Sequence, residues 1–159
     1  RLSPDHRWQR PLDGIYSLQL VIEEETACGS TLVEPEEGPD VFLIRDFNAK
    51  NKELPGKILQ EKLAACLPQG QELHIVSRKE LQALYAENSG AGKKFHERYP
   101  ASKGVITLSR VGFDEKRGRA VVCVRRQSDT LTGTGYNVFL KKSPAGNWTF
   151  TSSQRSFKF

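Results

Sequence analysis

The sequence predicts an α+β fold in which an antiparallel sheet, dominated by a C-terminal four-stranded meander, is covered on one face by short helices. Two observations predict it. The C-terminal third carries β-branched and aromatic runs at 105–113, 119–127, 136–142 and 148–151, separated by turn-rich segments at 114–118, 133–135 and 143–147. Upstream, apolar residues recur instead at helical spacing between capping and breaking signals.

Taken in order, residues 1–14 read as an N-terminal arm of a single domain spanning 1–159. Segment 16–25 fits two templates: Leu18, Leu20 and Ile22 alternate as in a strand, whereas Leu12, Ile15, Leu18 and Ile22 fit a helix. The turn-like Leu12-Asp13-Gly14 favours the strand. Residues 34–39, with three carboxylates, two prolines and a glycine, form a solvated loop. A helix is expected over 40–53, where Leu43 and Phe47 share a face, and Pro55-Gly56 ends it. Leu59, Leu63 and Cys66 continue helical spacing beyond. Residues 72–76 read as a strand. Ser77-Arg-Lys-Glu80 is a capping box that opens a helix over 77–87 with Leu81, Leu84 and Tyr85 on one stripe. Phe95 and Tyr99, four apart, mark a short helix stopped by Pro100. In the meander, Ala120, Val122 and Val124 face one side and Val121, Cys123 and Arg125 the other, while Tyr136, Val138 and Leu140 oppose Asn137, Phe139 and Lys141.

With 159 residues, 37% of them hydrophobic, the chain is one domain's worth and buries a real core. Its 27% charged residues and the absence of any long apolar run predict no membrane span. The chain starts at Arg1 and has no Met, which predicts a processed or excised product and leaves compartment open, with export after signal removal one reading. Cys28, Cys66 and Cys123 are too few for a disulfide scaffold and read as small core residues, with one pairing at most.

Charge is uneven. Residues 1–80 hold 10 basic and 14 acidic side chains, residues 81–159 hold 14 and 5, and the whole carries +5. One reading makes the second half a basic surface for an acidic partner or polyanion, nucleic acid included, using Arg125, Arg126, Lys141 and Lys142. The plainer reading is ordinary surface solvation. Alternation sends Arg125 and Arg126 to opposite faces, so only part of the cluster can combine.

Motifs that carry catalytic or metal chemistry are largely missing from the sequence. Ser89-Gly-Ala-Gly-Lys-Lys94 lacks the first glycine and the Ser or Thr of a phosphate loop, and reads as a link between helices. His6, His74 and His96 fall at no metal-ligand spacing, and no cofactor motif is present, so neither is expected. Glu23-Glu24-Glu25 reads as a solvated strand edge. Cys28 has no base near it in sequence to activate it.

Tyr99-Pro-Ala-Ser-Lys-Gly104, then Ser109-Arg-Val-Gly-Phe113, then Gly135-Tyr-Asn-Val-Phe-Leu140 and Gly146-Asn-Trp148 form a recognisable succession. With it the chain resembles a family of small, uncharacterised bacterial α+β proteins that read YPxSxG, SRVGF, a Gly-rich loop, GYxVLL and GxW. Glu25-Thr26 and Asp46-Phe-Asn-Ala-Lys-Asn51 match that family's acidic-x-T and DFxxKN patterns. The resemblance implies the fold, a bacterial source and, less directly, export; it implies no mechanism. The loop 125–134 departs from it, carrying Arg125, Arg126 and Asp129 where small residues are expected.

Among the matched polar residues, Arg110 lies between Leu108 and Val111 in an expected central strand and needs an acidic partner or an anionic ligand. Asp46, Lys50 and Asn51 fall at i, i+4 and i+5 of an expected helix. Arg110, Asp46, Lys50, Asn51 and Glu25 are therefore the candidate ligand-binding set, and an Arg110 ion pair with Asp46 or Glu25 that ties helix to sheet is the competing structural reading. A non-enzymatic binding or accessory domain is the leading functional expectation. Polyanion binding through the basic sheet and a hydrolase using Glu25 or Asp46 as base are the alternatives.

Overall fold

The computed structural model describes residues 19–26, 40–52, 56–58, 60–65, 67, 69–85, 92–128 and 132–158. Its strands are β1 (Gln19–Glu23), β2 (Glu72–Val76), β3 (Val105–Leu108), β4 (Gly112–Phe113), β5 (Arg119–Gln127), β6 (Gly133–Lys142) and β7 (Trp148–Lys158). Its helices are α1 (Val41–Lys52), α2 (Gln60–Ala64), α3 (Arg78–Tyr85) and α4 (Lys93–Arg98). The strands make one seven-stranded sheet ordered β2-β1-β3-β5-β6-β7, with β4 alongside β5.

The α+β class and the C-terminal meander are present, but the sheet is mixed rather than antiparallel. β1 pairs in parallel with both β2 and β3, whereas β3, β5, β6 and β7 pair antiparallel. Parallel neighbours need crossovers, and helices α1 to α4 supply them. The signal for this was Leu20-Val21-Ile22, an unbroken apolar run that fits a strand buried on both faces better than an alternating one.

The helical cover is also two-sided. Register places Val21, Val76, Val105, Val121, Cys123 and Phe139 on one face. On that face Leu81, Phe95 and Tyr99 of α3 and its successor segment pack on Val21, Val76 and Val105, and Leu43 and Phe47 of α1 pack on Val121 and Cys123. The opposite face presents Leu20, Ile22 and Ile106 to Ile58, Leu63 and Leu67, in and around α2. A strand apolar on both sides demands two layers of cover.

Several elements differ in extent. The expected strand 105–113 is two strands, because one extra residue between the Leu108–Val124 and Gly112–Val121 pairs makes a bulge around Arg110. β7 runs on to Lys158 rather than stopping near 151. The helix expected over 77–87 is α3, held by Ser77 Oγ accepting from Glu80 N at 3.2 Å. Glu80's carboxylate turns away from the cap and accepts from Tyr99 Oη and Arg98, binding α3 to α4. Glu23, expected at a solvated edge, is buried in central β1, where its carboxylate accepts from Arg78 Nε and Thr107 Oγ1, both at 3.0 Å. Cys123 is a buried core thiol, as expected. Cys28, Cys66, Asp129, the loop 34–39, the arm 1–14 and residues 89–91 of the glycine-lysine link lie outside the described residues, while Lys93 and Lys94 of that link open α4. Among the described residues, no helix is long and apolar enough to cross a membrane.

Candidate functional site

Three of the quoted sequence stretches meet at one place, the junction of α1 with the bulge that leads into β4. Asn51, with no exposed surface, holds it from the helix side. Its Nδ2 donates to Phe47 O at 2.8 Å and to Arg110 O at 3.0 Å, and its Oδ1 accepts from Arg110 N at 2.9 Å. The amide thereby satisfies both polar groups of a bulge residue that has left the strand ladder. One turn earlier, Asp46 Oδ2 accepts from Phe113 N at 2.7 Å and from Lys50 Nζ at 2.7 Å. Gly112 lies directly beneath the helix: a Cβ there would stand 2.5 Å from the Cβ of Phe47. Only glycine admits α1 this close to the sheet.

These contacts shape a cleft beside Phe113. Phe42, Asp46 and Lys50, four residues apart and so on one face of α1, form one wall; Phe113, Asp114, Glu115 and Arg117 form the other, around a volume of about 220 Å³. The Phe113 ring has Lys50 Nζ 5.1 Å and the Arg117 guanidinium 5.8 Å from its centroid. Trp148, at the start of β7, brings its ring to 5.9 Å from Phe113, and Lys142, directly opposite on β6, lies over that indole. Among the described residues, Phe42 and Trp148 are the exposed large apolar side chains, at 55% and 40%.

The turn that carries Arg117 is shaped for it. Asp114 Oδ1 accepts from the N–H groups of Gly118 and Arg119, and Arg117 N donates to Asp114 O at 2.9 Å. Arg117 has a φ of 50°, a left-handed conformation unfavourable for a side-chain-bearing residue. Arg119 pairs with Asp40, just before α1, and closes that end of the helix onto β5.

Burial pushes the Asp46 carboxyl up, but hydrogen bonds from Lys50 and from Phe113 N–H, with the charges of Lys50 and Arg117, outweigh it and hold it below its ordinary value of 3.8. Asp46 is therefore an ionised structural acceptor and a poor proton acceptor at neutral pH.

The candidate residues thus separate. Asp46 and Lys50 reach the cleft, and Asn51 lies behind it in the core. Arg110 gives its backbone to Asn51 and directs Nη1 to Lys50 O at 3.4 Å, while Glu25 sits in an isolated bridge with Lys57. The helix-to-sheet tie expected of an Arg110 ion pair is made by side chain to backbone bonds from Asp46 and Asn51. Arg125 lies across from Thr107 and Arg126 across from Ile106, on opposite faces as alternation required. Lys141 and Lys142 are exposed near the β6–β7 turn, also on alternating sides. Phe139 is packed beneath α1. Sequence reasoning passed over Phe42, Arg117 and Trp148; the four-residue spacing of Phe42, Asp46 and Lys50 was the available signal for the first.

Comparison with protein-family models, curated proteins and solved structures gives no match to this chain.

Proposed function

We propose that this protein is a non-enzymatic binding domain whose ligand site is the cleft between α1 and the β4–β5 turn. The observation that carries this reading is the cation-flanked Phe113 ring, set between Phe42 and Trp148 at the surface. Exposed aromatic rings with charged groups fixed around them supply both contact area and directional bonding, and monomeric surfaces seldom gather them without a partner. The carboxylate best placed to act as a base, Asp46, is held ionised by Lys50 and the Phe113 N–H, which favours a positioning role over hydrolysis.

The test is a paired experiment. Phe42→Ala and Trp148→Ala should abolish binding to any ligand captured by the wild type while leaving thermal unfolding within about 1 kcal/mol of it. Ligand turnover by the wild type, lost in Asp46→Asn or Glu25→Gln, would falsify the non-enzymatic reading. The polyanion alternative through Arg125 and Arg126 is weaker, since the strand sends these two side chains to different faces.

A further inference from the structure

We propose that the cleft takes an acidic polysaccharide, a chain of sugars bearing carboxylates, with one ring seated against Phe113 and the chain continuing over Trp148. This rests on the reading of the cleft as a ligand site and names what fills it. Size comes first. At about 220 Å³ the cleft is smaller than the ~300–1,000 Å³ of pockets that engulf a whole small molecule. It holds one ring of something longer, and the exposed Trp148 ring 5.9 Å from Phe113 provides the next platform.

Charge then selects among polymers. Lys50 and Arg117 stand over the first ring and Lys142 over the second, so cations accompany each aromatic surface. Arg117 and Lys142 are matched to carboxylates of the ligand, Lys50 being already bonded to Asp46. The same cleft is lined by Asp46, Asp114 and Glu115. Carboxylates accept hydrogen bonds from sugar hydroxyls, whereas a nucleic acid strand offers few such donors. An aromatic surface with both charge signs beside it fits a hydroxyl-rich chain that also carries carboxylates. Arg117 adds a discriminating feature: its left-handed backbone is one that glycine adopts at no cost, so Arg117→Gly removes the cation without straining the turn.

The experiment is isothermal titration of the whole chain with an oligogalacturonate, a neutral dextran oligomer and a single-stranded oligodeoxythymidylate, repeated for Arg117→Gly, Lys142→Glu and, as a control on α3, Lys79→Glu. Arg117→Gly relieves the backbone while removing the cation, so loss of binding by that variant is not a folding defect. The expected result is oligogalacturonate binding that weakens about tenfold or more in Arg117→Gly and Lys142→Glu and is unchanged in Lys79→Glu. Dextran binding as tight, or tighter oligodeoxythymidylate binding with the same variant pattern, overturns the acidic polysaccharide and keeps the cleft. Binding indifferent to both cleft variants, or no binding by any probe, overturns the cleft as well.

Discussion

Asp46, Asn51 and Arg117 each do something different at the same junction, and each predicts a different response to substitution. Asn51→Ala strips the bulge of two hydrogen bonds, and α1 of a third to Phe47 O, at a fully buried side chain, and should destabilise by about 2–4 kcal/mol in denaturant titrations. Asp46 contributes through its charge. Its folded pKa is depressed, so its stabilisation is present above the unfolded value and is lost as pH falls below 3.8 through the folded one. The stability difference between wild type and Asp46→Asn should therefore be greatest near neutral pH and shrink as pH falls below 3.8. Arg117→Gly exchanges left-handed strain for a lost cation–ring contact, and its unfolding free energy should stay within about 1 kcal/mol of wild type. Sequence spacing brought Asp46, Lys50 and Asn51 together correctly as neighbours. It did not show that Asn51 turns inward, because i+5 on a helix lies on a different face from i and i+4, and which face meets the sheet depends on Phe47 and Gly112.

Among the elements, α1 and the β3–β4 bulge form a unit set by the closeness of helix to strand. Gly112→Ala forces a Cβ into Phe47 and should cost about 3 kcal/mol, whereas Gly118→Ala, whose Cβ would meet only Asp114 Oδ2 at 3.9 Å, should change stability by under about 0.5 kcal/mol. Thermal unfolding of the two variants side by side checks the pair. The helices and C-terminal strands were legible because caps, turn residues and alternation are local signals: Ser77, Phe95 and the Val121 to Arg125 alternation sufficed. The bulge was not, since an extra residue breaks no composition rule and shows itself only when the partner strand is laid alongside. The true length of β7 escaped for a related reason: Ser152, Ser153 and Gln154 lack strand character and are held by pairing with β6.

For the molecule as a whole, the parallel β2-β1-β3 block explains why the sheet carries helices on both sides and why a purely antiparallel reading failed. Pairing between segments fifty and more residues apart leaves no local trace, and only the unbroken Leu20-Val21-Ile22 run pointed to it. The same architecture scatters the C-terminal basic excess. Arg125 and Arg126 sit on opposite faces of β5, so heparin retention at low salt should fall further in Lys142→Glu than in Arg126→Glu, as column elution at stepped ionic strength would report. The central claim is that ligand recognition occurs at the Phe113 cleft. The most direct measurement is an amide ¹H–¹⁵N correlation titration of the labelled chain with the oligogalacturonate, dextran and oligodeoxythymidylate probes. Whichever probe binds should shift the signals of Lys50, Phe113, Arg117 and Trp148 together; shifts confined to β5 around Arg125 and Arg126, or none with any probe, would contradict recognition at this cleft.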